Sequence, residues 1–194
     1  MHAAKMVFSA KGFRSATIEG IAQKAELSPG SLYSYFSSKD DLYASLNLKI
    51  LEYLYEKTED LHNDKRLTAI QKIEGLMSMF YEVYRSEPLI LASLFNLQSS
   101  KEFWNLSEGL INEINRLAAK GFRSTANIFR DAIKEGIIID CHPIALADII
   151  WAIFSGLMLW EESKKMSNPE KDYFKETVDL AMKIFCRGIK GSSK

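Results

Sequence analysis

The chain is poor in the residues that carry most catalytic and metal chemistry. Its 194 residues include two cysteines, three histidines and four prolines. Cys141 and Cys186 are too far apart in sequence to read as a disulfide framework or a zinc pair. Each reads as a core or surface thiol, ahead of a redox sensor. His2, His62 and His142 fall in three different settings, each near a helix or chain end. Cys141-His142 is adjacent but has no further ligand cluster around it. No Ser-His-Asp set, metal spacing or glycine-rich phosphate loop is present, so neither an enzyme nor a bound metal or cofactor is expected.

Net charge is also absent: 25 Lys and Arg balance 25 Asp and Glu. That argues against a protein that coats nucleic acid nonspecifically. The densest apolar stretch, Ile144–Trp160, is interrupted by Asp148 and reads as too short to span a bilayer. No basic start followed by an apolar block suggests a signal peptide. The expected location is the cytoplasm, with no membrane partner. Period-2 alternation is missing too, apart from Ile137-Ile-Ile139, which reads better as an extended connector. Everything else has helical periodicity, so the expected fold class is all-α.

What is present is concentrated in residues 17–39. Thr17 is a good N-cap, and Ile21, Ala22 and Ala25 recur at helical spacing. Ala25-Glu26-Leu27 is too short for a free loop and leads into a second start signal, Ser28 as cap and Pro29 at the first helical position. Leu32 and Phe36 sit four apart and point inward. Pro29, Gly30, Ser31, Tyr33 and Ser34 are left facing out. Small residues permit close approach, and hydroxyls bond to bases or phosphates, so this face suits a major groove. Ser38 restarts a helix with Asp41 at capping-box spacing, and Lys39 is placed for a phosphate. Upstream, Ala4, Val7 and Phe8 form a stripe that Gly12 ends. Three short helices should pack around Phe8, Phe13, Ile21, Leu27, Leu32 and Phe36, the layout of a helix-turn-helix. The DNA-facing candidates are Thr17, Ser28, Pro29, Gly30, Ser31, Tyr33, Ser34, Tyr35 and Lys39. The alternative is a generic helical bundle whose tyrosines are merely half-buried.

Ala10-Lys-Gly-Phe13, Thr17-Ile-Glu-Gly-Ile-Ala22 and Leu32-Tyr-Ser-Tyr-Phe-Ser-Ser-Lys39, and the spacing between them, closely resemble the DNA-binding domain of TetR/AcrR-family transcriptional regulators. The resemblance implies an all-helical homodimer that binds a palindromic operator and is released by a small ligand. It also leads one to expect further helical turns and a basic arm ahead of Ala3-Ala4, and a turn glycine where Glu26 stands.

Two domains are expected, a DNA-binding domain at 1–46 and a ligand-binding and dimerisation domain at 47–194. Residues 1–49 hold six Lys/Arg against four Asp/Glu, so this end is only slightly basic, and affinity should depend on dimerisation and shape fit. A helix over 40–60 forms a lever between the domains. Further helices are expected over 68–85, from Pro88 to about 99, over 101–135 with Gly136 as cap, over 143–165 and over 169–190, with Gly191 onward fraying. The helix at 144–160 is apolar almost all round, so one face should meet the core and another a partner. Ile150, Phe154, Leu157, Val178, Met182 and Phe185 are the dimerisation candidates, with Gly156 allowing close approach. Met77, Tyr81, Tyr84, Phe95, Trp104, Phe122 and Trp151 are the candidates for an apolar or aromatic effector site. Arg116, Arg123 and Arg130 share one helix face, which reads as solvated, or less often as a seat for an anionic head group. The competing function is a ligand-binding or protein-interaction module that no longer reads DNA.

Overall fold

A computed structural model describes residues 1–88, 91, 92, 94, 95, 106–165 and 173–191. The fold is all-α. Eight helices are defined among the described residues: α1 (His2–Ser15), α2 (Ile18–Lys24), α3 (Pro29–Tyr33), α4 (Lys39–Asn63), α5 (Ala69–Ser86), α6 (Glu108–Lys134), α7 (Pro143–Lys165) and α8 (Phe174–Ile189). They form two compact units, residues 1–52 with 87–117, and residues 53–86 with 118–194. The linear division at 46/47 expected from sequence leaves out the return of 87–117 to the first unit. Two contacts within that unit account for the return: Lys5 pairs with Glu87, and the Ser107 N–H donates to Asp41 Oδ1 at 3.1 Å.

In the first unit Ala4, Val7, Phe8, Ala16, Ile18, Ile21, Ala22, Leu32, Leu42 and Leu46 form the core, with Phe13, Phe36 and Tyr43 packed at its edge. Gly12 breaks α1 at φ +73°, a conformation that costs a residue without Cβ little, and so brings Phe13 to within 4.7 Å of the Tyr43 ring. Leu27 is a correction: it is 47% exposed rather than a core residue. The cause is the end of α2. Glu26 N–H bonds to Gln23 O at 3.2 Å and Leu27 N–H to Ala22 O at 3.0 Å, a Schellman closure that requires a left-handed residue at Glu26, found at φ 57°. Leu27 follows that reversal and points to solvent.

The left-handed conformation at Glu26 costs a non-glycine residue about 1 kcal/mol. Glu26→Gly should therefore raise stability by about that amount, read as a rise of roughly 2–4 °C in Tm at fixed protein concentration. An unchanged or lower Tm would show that the turn is not strained.

In the second unit α5 packs against α7 and α8, and α7 packs against α8. Gly136 closes α6 at φ +70°, with Gly136 N–H to Ile133 O at 2.9 Å and Ile137 N–H to Ala132 O at 3.0 Å. The connector after it is extended and also paired: Ile138 bridges Lys190, and Ile139 N–H donates to Ile189 O at 2.8 Å. Gly191, where fraying is expected to begin, is held by its N–H to Ile137 O at 3.2 Å, and 192–194 lie outside the described residues. The long helix expected from 101 begins at Glu108 instead, because 106 and 107 are non-helical and Ser107 O accepts the first amides of α6. Pro143–Lys164, with mean hydropathy 1.7, is long and apolar enough to cross a membrane by length and composition, so Asp148 does not interrupt it as expected. One of its faces is nonetheless core, through Leu146, Ala147, Ile150, Phe154 and Met158.

Candidate nucleic-acid interface

The outward face of α3 is built by its own caps. Thr17 Oγ1 accepts the Gly20 N–H at 3.1 Å and starts α2. Ser28 Oγ accepts the Ser31 N–H at 3.1 Å and lies 2.9 Å from Ser31 Oγ, while Pro29 occupies the first turn. Ser34 Oγ donates to Ser31 O at 2.7 Å, which leaves its oxygen lone pairs outward. Bonds from Tyr35 and Phe36 N–H to Leu32 O extend the helical turn beyond Tyr33. Leu32 is buried on the inner side. Residues 26–30 and 33–35 are exposed, with Tyr33 at 52% and Tyr35 at 78%. Two phenols, hydroxyl groups and a glycine therefore share one short convex segment, a surface that can approach a groove closely and donate to or accept from base edges.

Lys39 is placed differently from a free phosphate ligand. Its Nζ donates to Phe13 O at 3.0 Å and Ala16 O at 3.1 Å and lies 4.4 Å from the Phe13 ring centre. It closes the end of α1, where carbonyls lack helical partners. Asp41 also departs from the expected capping box: its N–H takes Ser38 Oγ at 3.0 Å, but its carboxylate bonds to Ser107. Lys11, Arg14 and Lys24 are exposed cations of the same unit.

In the second unit the effector candidates fall into an aromatic cluster. Phe80 lies 5.2 Å from Trp151 and 5.3 Å from Phe154, and Phe122 lies 6.4 Å from Trp151. Phe174 joins Tyr81 at 5.6 Å and Tyr84 at 4.8 Å. The Tyr84 hydroxyl donates to Glu162. Met77 is buried, and Tyr81, Phe122 and Trp151 are half-buried. Phe95 belongs to the other unit, and Trp104 lies outside the described residues. Phe80, Phe154 and Phe174 are members that the sequence candidates omitted. Arg116, Arg123 and Arg130 are exposed, with Arg116 paired to Glu113, as a solvated face would be. Burial, followed by the Glu74 charge, pushes the Cys186 thiol up to about 11, so it is no thiolate at neutral pH.

The dimerisation candidates require correction. Ile150, Phe154, Val178, Met182 and Phe185 are buried within one chain, so they have little area left for a second; Leu157 is half-exposed. The apolar residues left open on these helices are others: Ile144, Ile149, Leu159 and Trp160 on α7 and Leu180 and Ile184 on α8, with Gly156 beside Ile149 and Trp160 and Gly188 beside Ile184, both exposed.

Residues 1–46 match the model of the family described as bacterial regulatory proteins, tetR family. Over 195 aligned residues the chain is 22% identical to YhgD of Bacillus subtilis (strain 168), named an HTH-type transcriptional regulator, covering 100% of this chain and 94% of that one. Its fold is similar to that of the TetR-family regulator PfmR of Thermus thermophilus, with TM-score 0.77, 15% identity and coverage of 99% and 97%. It is also similar to that of the regulator FadR of Bacillus subtilis in complex with stearoyl-CoA, with TM-score 0.75, 19% identity and coverage of 97% and 96%.

Proposed function

We propose that the chain, whose residues 1–46 match the tetR family of bacterial regulatory proteins, is a TetR-family transcriptional regulator that binds a pseudo-palindromic operator as a homodimer, represses from it, and is released by a small apolar or aromatic effector. The observation that carries this reading is the α3 segment: Gly30, Tyr33, Ser34 and Tyr35 are exposed on a turn capped by Ser28, over a buried Leu32. Two such segments spaced one DNA turn apart, about 34 Å, would enter successive major grooves. The dimer face in this reading is the open stripe of Ile149, Trp160, Leu180 and Ile184, since an apolar surface of that kind marks an interaction site.

The proposed mechanism is a shift between two states. The effector sits at the aromatic cluster of the second unit and binds the off-DNA state better, with a coupling of roughly 1–3 kcal/mol. In this reading effector binding favours another position of the helix expected over 40–60, α4 (Lys39–Asn63), and so changes the spacing of the two α3 segments. The site of action is the cytoplasm.

Selection of genomic fragments by the purified protein near physiological salt tests the reading. Recovery of one or a few pseudo-palindromic sites is the expected result, and their neighbouring genes nominate the effector. Recovery of no sequence, with helicity and dimerisation intact, would instead support a binding module that does not read DNA.

A further inference from the structure

Glu161 lies on the inward stripe of α7, continuing the series Ile150, Phe154 and Met158, and is 1% exposed. Its Oε2 pairs with Lys164 at 2.5 Å, while its Oε1 has no hydrogen-bond partner. Buried polar atoms are nearly always partnered, and a charged one left without a donor is costly. Aromatic and acidic side chains lie on the neighbouring turns of α5 and α7. Phe80 contacts Trp151 and Phe154, and Tyr84 reaches Glu162, so α5 runs alongside α7 with Tyr84 at the turn that carries Glu161 and Glu162. Phe174 closes against Tyr84, Tyr81 and Phe154 at the same end of the cluster.

We propose that Glu161 anchors the head group of the effector, and that this effector carries a cationic N–H donor, such as an arylalkyl-ammonium or an amidinium, on its apolar or aromatic body. The proposal rests on the ligand-responsive reading above and narrows it. Oε1 accepts a charge-assisted hydrogen bond from the cation and so gains the partner it lacks. The Tyr81 face already carries Lys175 Nζ, 5.5 Å from the ring centre, so Tyr84 and Phe174 are the rings left to pack against the body. Among the described residues, Lys164 is paired with Glu161, and Lys175 is held by Asp179 at 2.6 Å. A carboxylate head offers Oε1 no hydrogen to accept.

The test uses the full chain and three probes: 4-phenylbutylammonium, 4-phenylbutyrate with the same body and opposite charge, and stearoyl-CoA. Binding is read by calorimetry, and release is read on the selected operator. The ammonium probe should bind about ten-fold or more tighter than the carboxylate, and Glu161→Gln should bring the two within about three-fold of each other. Equal affinities in the unmodified protein, or a preference that survives Glu161→Gln, overturn the proposal. Should the glutamine variant not fold, Glu161→Asp keeps the charge but draws it back by one methylene and should weaken the ammonium preference by about three-fold or more; an unchanged preference there also overturns it. Stearoyl-CoA releasing the operator while the ammonium probe fails to bind overturns the cationic head group and leaves the ligand-responsive reading standing. Operator binding that none of the three disturbs, with no heat from any, counts against both.

Discussion

Leu180→Glu combined with Ile184→Glu is expected to yield a folded monomer whose operator affinity falls by about two orders of magnitude or more. The two residues are 58% and 63% exposed on the isolated chain, one helical turn apart on α8, so charge at these positions costs the protomer little. In the dimer the same positions would bury carboxylates against an apolar partner face, which is strongly unfavourable without a counter-charge. A monomer offers one α3 segment and half of the phosphate contacts, which leaves little beyond nonspecific affinity. Sedimentation equilibrium, circular dichroism and an operator titration on one preparation would check all three parts. Val178→Glu is the contrasting variant: Val178 is fully buried on the opposite stripe of the same helix, and a carboxylate there should unfold the protomer rather than separate the dimer. Variants at 180 and 184 that remain dimeric at micromolar concentration would remove these residues from the interface.

That contrast marks where sequence reasoning stops. The starts and stops of the first three helices were legible because each has a local chemical cause: Thr17 and Ser28 as side-chain caps, Pro29 in a first turn, Gly12 as a left-handed break. Gly136 was legible for the same reason. The choice of face on α7 was not. A helix with apolar residues at 149, 150, 153, 154, 157, 158 and 160 carries two adequate stripes, and only the packing of α5 and α8 decides that 150, 154 and 158 go inward. The dimer candidates were therefore drawn from the core stripe. Glu161 was missed for a related reason: its position on that stripe is visible only once the stripe is known. Lys39 and Asp41 illustrate a second limit. Position at a helix start suggests a phosphate contact for the one and a capping box for the other, but both are engaged by groups far along the chain, Phe13 and Ala16 for Lys39 and Ser107 for Asp41. Glu26 stands where the family resemblance leads one to expect glycine, and its left-handed backbone makes that departure a matter of conformation as well as charge.

Gly30 should separate folding from recognition. A Cβ built there meets only Ser28 Oγ, at 3.8 Å, an ordinary contact. Gly30 is exposed within the first turn of α3, and its replacement by alanine lowers the entropy of the unfolded chain. Gly30→Ala should therefore leave stability unchanged or raise it by about 0.4–1 kcal/mol. Operator affinity should move the other way. If the helix enters the groove by its N-terminal end, the added methyl occupies space that a base edge or sugar needs, and a loss of about ten-fold is expected, with a larger loss for Gly30→Val. Gly20 is the internal comparison: its Cβ would lie 3.2 Å from Thr17 Oγ1, the α2 cap, so Gly20→Ala should act through stability. Thermal melts paired with operator titrations at one salt concentration distinguish the two. If Gly30→Ala binds the operator as tightly as the unmodified chain, the first turn of α3 is not the part that approaches the bases, and recognition has to be reassigned to Tyr33, Ser34 and Tyr35 at its other end.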